Sequence, residues 1–456
     1  MQPIMRNSNK RTFRRSLTKQ SLWSKPWFYL VLVLVLALLA VLVYQIPSVH
    51  DRAYYYVAST RARIFYFFNP PEEEVFTPGE QGTLDAGMLQ TLTAMAPTAT
   101  MTPTITSTPT ITPTTEFTAT ATVKPTNTPI PTPLPESVLL EGIPVEPQGF
   151  NNCGPANLSM ALKYWGWQGD QKVTEAYLKP YIKDRNVMPY EMLGYVHDET
   201  ELRGIVRYGG TLDMVKKLVA VGLPVIIERG YTNSTEGWMG HYGLIIGYDD
   251  IKQEVTIPDT YLGMIKLSYD QITRDWAHFD DIYLIVYPPD REQEVIDILG
   301  PHIDEAYNKQ YALDQVTNRL YNLKGQDLFF AWFSRGSIQV EMDDYFGASQ
   351  SYDEAFKIYE TLETKDRPWR ILWYQTGPYF AYYWTGRYHD LRNLAQQTLD
   401  ITPEDAIPET WVWKGRAEVM MGLRDEAIES FKQALVWHPG WWVAENELTA
   451  LGVPLP

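Results

Sequence analysis

The sequence contains a single cysteine, Cys153, among its 456 residues. One cysteine excludes an internal disulfide, and it excludes zinc or iron–sulfur sites built from several thiolates. The folded parts of the chain must therefore be stabilised by ordinary apolar cores, for which a hydrophobic content of 45% supplies the material. We expect neither a metal nor a cofactor, and the length predicts two or three globular units.

Basic residues are outnumbered by acidic residues after residue 50. The first 50 residues hold seven basic residues and no acidic one, whereas the remainder holds 32 basic residues against 55 acidic ones. A protein that binds nucleic acid needs a cationic surface to neutralise phosphates. The acidic balance of the main part of the chain therefore argues against nucleic acid as a partner.

Charged residues are also missing from the apolar run at 27–46. At about 1.5 Å per residue, such a helix spans a hydrocarbon core of roughly 30 Å. The basic residues that precede it predict a cytoplasmic N-terminus and an extracytoplasmic remainder. A cleaved signal peptide is the alternative, but its apolar region is usually about 7–15 residues long and ends at a small-residue site. We therefore expect a retained single-pass anchor in the cell membrane.

The composition changes several times along the chain and predicts six segments. Residues 91–135 are mostly Thr, Pro and Ala, so they offer no apolar face to bury and predict a disordered stalk. The segments are a basic cytoplasmic tail (1–26), a transmembrane helix (27–46), a juxtamembrane segment (47–90), the Thr/Pro-rich stalk (91–135), an α+β domain (136–290) and an all-α domain (291–456).

The α+β domain is predicted from one helix followed by a second helix and several strands. Cys153 opens the first helix, with Pro155 in its first turn, and Thr211 opens the second, which ends at Gly222. The predicted strands are Pro224–Glu228, His241–Tyr248, Glu254–Ile257 and Ile282–Tyr287. A helix followed by a sheet is typical of an α+β fold.

A thiol nucleophile needs a base, a group that orients the base and an oxyanion hole, and four residues suit these roles. Cys153 lies at a helix N-terminus, where the unsatisfied N–H groups favour a thiolate. His241 begins a β segment and Asp259 begins a turn at the end of the next one, so on adjacent strands the two side chains are expected to meet. Gln148, five residues before the cysteine, is a candidate donor to an oxyanion.

Other residues compete for these roles. Asp249 and Asp250 are alternative orienting groups, although a turn pair is usually solvated. His197 and His278 are the competing histidines of the domain, and their local sequence favours surface or packing positions.

These residues carry a family resemblance over about residues 139–290. The run Gln148–Ala156, the run His241–Asp250 and Asp259 resemble the peptidase C39-like family, which is similar in fold to papain. The resemblance implies Cys153 as nucleophile, His241 as base, Asp259 as its orienting group and Gln148 as the oxyanion-hole glutamine. Many relatives have Asp-Pro where this chain has Asp259-Thr260. Relatives that cut double-glycine leaders are fused to transporters, and this chain has none, so leader cleavage is not expected.

From about residue 292 the chain resembles tetratricopeptide repeats, with a plain helical bundle as the alternative. Repeats of this kind usually bind peptides or proteins along a concave face. The repeat positions are Trp411, Gly415, Ala427, Phe431, Ala434 and Pro439, and again Trp332, Gly336, Ala348, Tyr352 and Ala355.

Together these features predict a membrane-anchored extracytoplasmic cysteine peptidase with a papain-like domain and a repeat domain that recruits a protein or peptide. Two alternatives stay open. One is a catalytically silent binding or scaffold protein of the cell envelope. The other is an amidase or acyl transferase that acts on a cell-wall peptide with the same thiol.

Overall fold

The computed structural model describes residues 26–79, 133–179, 181, 183–233 and 237–455. Packing divides the chain into two units, Met1–Arg63 and Ile64–Pro456. The predicted cytoplasmic tail lies outside the described residues except for residue 26, and the predicted stalk lies outside them except for residues 133–135.

The described chain begins with an apolar helix, α1 (Pro26–Tyr44), which is followed by α2 (Pro47–Phe68). Residues Trp27–Tyr44 have a mean hydropathy of 2.8, and none of that stretch is buried inside the protein. By length and composition α1 fits either a membrane span or a signal sequence. The orientation of the chain across a membrane stays a prediction.

The α+β region contains two antiparallel sheets with helices packed against them. In the first sheet the strand order is β1-β5-β6-β7, and in the second it is β2-β8-β3-β4. The strands are β1 (Ser137–Leu139), β2 (Arg203–Arg207), β3 (Val225–Asn233), β4 (Gly237–Ile245), β5 (Gly247–Asp249), β6 (Glu254–Asp259), β7 (Gly263–Ser268) and β8 (Tyr283–Tyr287). The helices are α3 (Cys153–Tyr164), α4 (Gln171–Leu178), α5 (Pro189–Glu199), α6 (Leu212–Ala220) and α7 (Tyr269–Trp276).

The single strand predicted at His241–Tyr248 is in fact two strands. The chain leaves the second sheet after β4 and enters the first sheet as β5, and the Ile246 N–H between them donates to the Thr256 carbonyl at 3.0 Å. His241 therefore lies in one sheet and Asp259, at the end of β6, in the other. β4 and β6 are thus not paired within one sheet, although the two strands contact each other and their side chains meet, with His241 Nε2 at 3.1 Å from Asp259 Oδ2.

The rest of the described chain, from Glu292 onward, is helical. Two glycines let neighbouring helices approach closely: a Cβ on Gly336 would lie 2.7 Å from the Tyr352 ring, and one on Gly415 would lie 2.6 Å from the Phe431 ring. The helices are α8 (Glu292–Leu299), α9 (Glu305–Arg319), α10 (Gly325–Glu341), α11 (Tyr345–Thr361), α12 (Ile371–Tyr374), α13 (Gly377–Trp384), α14 (Tyr388–Asp400), α15 (Pro408–Met420), α16 (Arg424–Trp437) and α17 (Trp442–Ala450).

The helical part shares an apolar core with the end of the second sheet. Trp238 of β4 stacks on Phe279 with ring centroids 5.8 Å apart, and Phe330 of α10 lies 5.1 Å from Trp238. Phe330 also stacks on His278 at 3.7 Å. Because Trp238 is three residues before His241 on β4, this core supports the strand that carries the histidine.

Replacing Phe330 by Ala should therefore weaken both parts of the Ile64–Pro456 unit. Phe330 is 1% exposed, so its loss leaves a cavity and should lower the free energy of unfolding by about 3–5 kcal/mol. Urea unfolding followed by tryptophan fluorescence measures this change. Tyr321→Ala removes a ring that is 86% exposed and is the control. An equal effect of the two substitutions would contradict the shared core.

Candidate active site

Cys153 is the first residue of α3, and its side chain is partly exposed. Asn157, one turn later, fixes this helix end against the second sheet. Its Nδ2 donates to the Cys153 carbonyl at 2.9 Å and to the Tyr242 carbonyl at 3.2 Å. The thiol is thereby held at a helix N-terminus, where the helix dipole favours a negative charge.

His241 lies on β4 beside the thiol and is buried, with 5% of its surface exposed. Its Nε2–H donates to Asp259 Oδ2 at 3.1 Å. The imidazole also hydrogen-bonds the Cys153 side chain, and the nitrogen that remains for this contact is Nδ1. His241 therefore lies between Cys153 and Asp259.

The Asp259 carboxylate is held by donors on both oxygens. Oδ1 accepts the backbone N–H groups of Tyr261 and Leu262 at 2.8 and 2.9 Å. Oδ2 accepts His241 and also Nη2 of Arg229, the latter at 3.0 Å. Burial alone would raise the pKa of Asp259, but the hydrogen bond and charge of His241 and the two backbone donors hold it well below its usual range. The carboxyl group is therefore ionised and accepts from every partner.

The thiol and the imidazole shift each other's proton equilibrium. Burial acts to raise the pKa of Cys153, but the hydrogen bond to His241 and the His241 charge outweigh it and lower that pKa below its usual value. Burial acts to lower the pKa of His241, but the hydrogen bonds to Asp259 and Cys153 raise it to about 9. Between these two pKa values the favoured state is a thiolate beside an imidazolium.

Gln148 is joined to the residue that follows the aspartate. The Gln148 N–H donates to the Thr260 carbonyl at 3.0 Å, and the Thr260 hydroxyl donates to Gln148 Oε1 at 2.6 Å. The carbonyl end of the Gln148 amide is thus occupied, which leaves its NH₂ end as the donor for another acceptor.

The alternative residues lie elsewhere. Asp249 hydrogen-bonds the backbone of Ile251 and Lys252, and Asp250 forms an ion pair with Lys216 at 2.7 Å. His197 is exposed on α5, and His278 is buried, with its Nδ1 accepting from Trp238 Nε1 at 3.1 Å. None of these residues lies between Cys153 and Asp259.

Two residues of the site were not predicted from the sequence. Thr260 enters the sequence analysis only as a departure from the usual Asp-Pro, and Arg229 follows the predicted strand Pro224–Glu228 without an assigned role. The available signal was an arginine next to an apolar strand, because a guanidinium that becomes buried there requires an anionic partner.

Residues 140–287 match the Peptidase C39-like family. This C39-like region has the papain-like architecture expected from the sequence, and at the level of class the match supports a cysteine peptidase. A search among curated proteins gives no match.

Several solved structures are similar to the C39-like region. A protein from Bacillus anthracis described as a C39-like peptidase has 17% identity and a TM-score of 0.27, with 34% of this chain and 98% of that chain covered. A double glycine motif protease from an AMS/PCAT transporter, in complex with the leader peptide, has 22% identity and a TM-score of 0.26, with coverages of 33% and 98%. Xylellain, a cysteine protease from Xylella fastidiosa, has 15% identity and a TM-score of 0.27, with coverages of 34% and 87%. We transfer no residue role from these structures.

The shifted pKa values predict how Cys153 reacts with iodoacetamide. Because a lowered pKa increases the fraction of Cys153 present as thiolate, alkylation at pH 6 should be more than about tenfold faster than that of an ordinary thiol. A second change in rate should follow as pH rises through about 9, where His241 loses its proton. Alkylation quenched at timed intervals and quantified by mass spectrometry gives the rate at each pH and so measures both transitions.

Cys153→Ala removes the only thiol and gives the background. A single transition at the pKa of an ordinary cysteine, about 8.5, would contradict the paired thiolate and imidazolium.

Proposed function

We propose that the protein is a cysteine peptidase that hydrolyses peptide bonds through Cys153, His241 and Asp259. The observation that carries the proposal is the continuous contact from the Cys153 thiol through the His241 ring to the ionised Asp259 carboxylate. A nucleophile, a base and an orienting group in hydrogen-bond contact are the parts that acyl transfer by a thiol requires.

In the acylation step, the Cys153 thiolate attacks the carbonyl carbon of the scissile bond, and the carbonyl oxygen becomes an oxyanion. Gln148 Nε2 and the Cys153 N–H donate to this oxygen. His241 transfers its proton to the leaving amine as the C–N bond breaks, which leaves a thioester on Cys153 and a neutral imidazole. Asp259 keeps the ring oriented throughout.

In the deacylation step, water replaces the amine. His241 accepts a proton from the water as its oxygen attacks the thioester carbon, and Gln148 again donates to the oxyanion. The C–S bond then breaks, the acid product leaves, and the thiolate and imidazolium are restored.

We propose that α1 anchors the protein in the cell membrane with the C39-like region (domain 136–290) and the helical region (domain 291–456) outside the cytoplasm. The basic residues before the apolar run support this orientation, and a Thr/Pro stalk between the anchor and the body would serve as a spacer.

We also propose that the helical region consists of tetratricopeptide-like pairs. The same small-against-large contact supports this in two pairs, Gly336 against Tyr352 and Gly415 against Phe431.

The helical region also contacts the C39-like region near the site. Gln375 Nε2 donates to the His278 carbonyl at 2.9 Å, and Asn186 Nδ2 donates to the Tyr374 carbonyl at 3.0 Å. Support of the C39-like region is thus one role of the helices, and recruitment of a protein or peptide along their remaining surface is the other.

Substitution of the site residues tests the peptidase reaction. Cys153→Ala should abolish cleavage in a peptide-library digest, and Gln148→Ala should lower kcat by about 10²–10³-fold because an oxyanion donor is lost. His197→Ala, at an exposed position of α5, is the control and should leave cleavage unchanged.

The same digest distinguishes the alternatives. Cleavage that persists in Cys153→Ala would contradict the proposal. Absence of any cleavage by a reactive Cys153 would favour the silent binding protein, and activity on cell-wall peptides alone would favour the amidase or acyl transferase.

The membrane topology has a separate test. A protease added to intact cells should cut within the Thr/Pro-rich segment 91–135 and leave a fragment that contains residues 136–456, because such a segment outside the folded domains is accessible to proteases. Immunoblotting of the cells and the medium detects the fragment. Survival of the full-length chain on intact cells, when a lysed sample is digested, would contradict the orientation.

A further inference from the structure

A buried arginine lies directly across from the histidine of the site. Arg229 of β3 and His241 of β4 are register partners in the antiparallel pair. Side chains at such positions stand on the same face of a sheet, within reach of the same neighbours. Arg229 is 1% exposed, so its charge is removed from water.

The guanidinium has one close carboxylate partner, which is Asp259. Nη2 lies 3.0 Å from Asp259 Oδ2, and the two side chains are 2% and 1% exposed. Nη1 donates to the Gly230 carbonyl at 3.3 Å and lies 4.0 Å from Asp275 Oδ2. Within the described part of the chain, Nε has no hydrogen-bond partner. A buried guanidinium is costly unless it is paired, so Arg229 and Asp259 hold each other in place.

The arginine and the histidine share a single oxygen of Asp259. His241 Nε2 is 3.1 Å from Oδ2, and Arg229 Nη2 is 3.0 Å from the same atom. We propose that Arg229 is a positioning residue of the active site, which fixes the Asp259 carboxylate and, by sharing Oδ2, limits how strongly that carboxylate stabilises the protonated form of His241. This proposal rests on the proposed function and adds Arg229 to Cys153, His241, Asp259 and Gln148.

The sharing has a directional consequence. A cation on Oδ2 withdraws negative charge from the oxygen that faces His241, so its removal should raise the pKa of the imidazole. Other titratable or charged groups also face the site from neighbouring elements. Lys179, Glu228, Tyr242 and Tyr374 interact with Cys153, and Asp275 interacts with Arg229. All of them stay unchanged in the comparison.

The experiment is alkylation of Cys153 by iodoacetamide as a function of pH, in the full-length protein. Arg229→Gln keeps an amide donor but removes the charge, and Arg229→Met removes both at similar size. Arg229→Lys keeps the charge. We expect the upper transition of the profile to move to higher pH by about 1 unit in the two neutral variants and to stay close to wild type in Arg229→Lys. Using two neutral variants preserves the comparison if one of them fails to fold.

Arg387→Gln is the matched control, because Arg387 is another largely buried arginine, paired with Asp353 and Asp390 at 2.7 Å but located in the helical region. It should leave the profile unchanged. If the neutral Arg229 variants lose rate uniformly with no movement of the upper transition, Arg229 has only a structural role and the proposal is overturned.

The wild-type profile separates this outcome from failure of the proposed function. If wild-type Cys153 reacts as an ordinary thiol, the peptidase proposal fails and the role of Arg229 fails with it. If wild-type Cys153 reacts as a thiolate at pH 6 while the neutral variants leave the upper transition in place, only the role of Arg229 is overturned.

Discussion

The buried carboxylate of Asp259 joins the two sheets at the active site. It receives His241 and Arg229 from the second sheet on one oxygen and two backbone N–H groups of its own turn on the other. Buried carboxylates are tolerated when every lone pair has a donor, and such donors stabilise the ionised form. His241 and Arg229 lie on the second sheet and Asp259 lies on the first. The chain passes from the second sheet to the first at Ile246, between β4 and β5, and this crossing brings the three side chains together.

Much of the candidate site could be predicted from the sequence because its signals are local. Cys153 stands before a glycine and a proline at the start of a helix, His241 lies within an apolar run that forms a strand, and Asp259 stands at the end of the next run. Arg229 could not be assigned, because its partner is set by β3–β4 register and by a contact between sheets. The predicted strand at His241–Tyr248 failed for a related reason: an apolar run shows that a segment is buried but not that it changes sheets.

Thr260 shows what a departure from a family pattern does physically. A proline at this position has no hydroxyl, whereas Thr260 donates to Gln148 Oε1 at 2.6 Å. That bond fixes which end of the Gln148 amide remains as a donor, and it also ties the candidate oxyanion-hole residue to the turn that contains Asp259. The segment that leads to Cys153 and the turn that contains Asp259 are thereby connected by the Gln148–Thr260 hydrogen bond, in addition to the contact between Cys153 and His241.

The Arg229–Asp259 pair changes how the aspartate itself must be interpreted. Asp259 accepts a hydrogen bond from His241, but it is also the counterion of a guanidinium whose side chain is 2% exposed. Removing one member of a buried ion pair leaves an uncompensated charge and is strongly destabilising. Loss of activity in a variant that lacks Asp259 therefore combines a lost orienting group with a disturbed strand pair, and it does not isolate the role of Asp259 in the reaction. A change at Arg229 also disturbs this pair, but it leaves the carboxylate with His241 and two backbone donors, so the effect of the guanidinium on the ring can be measured with Asp259 in place.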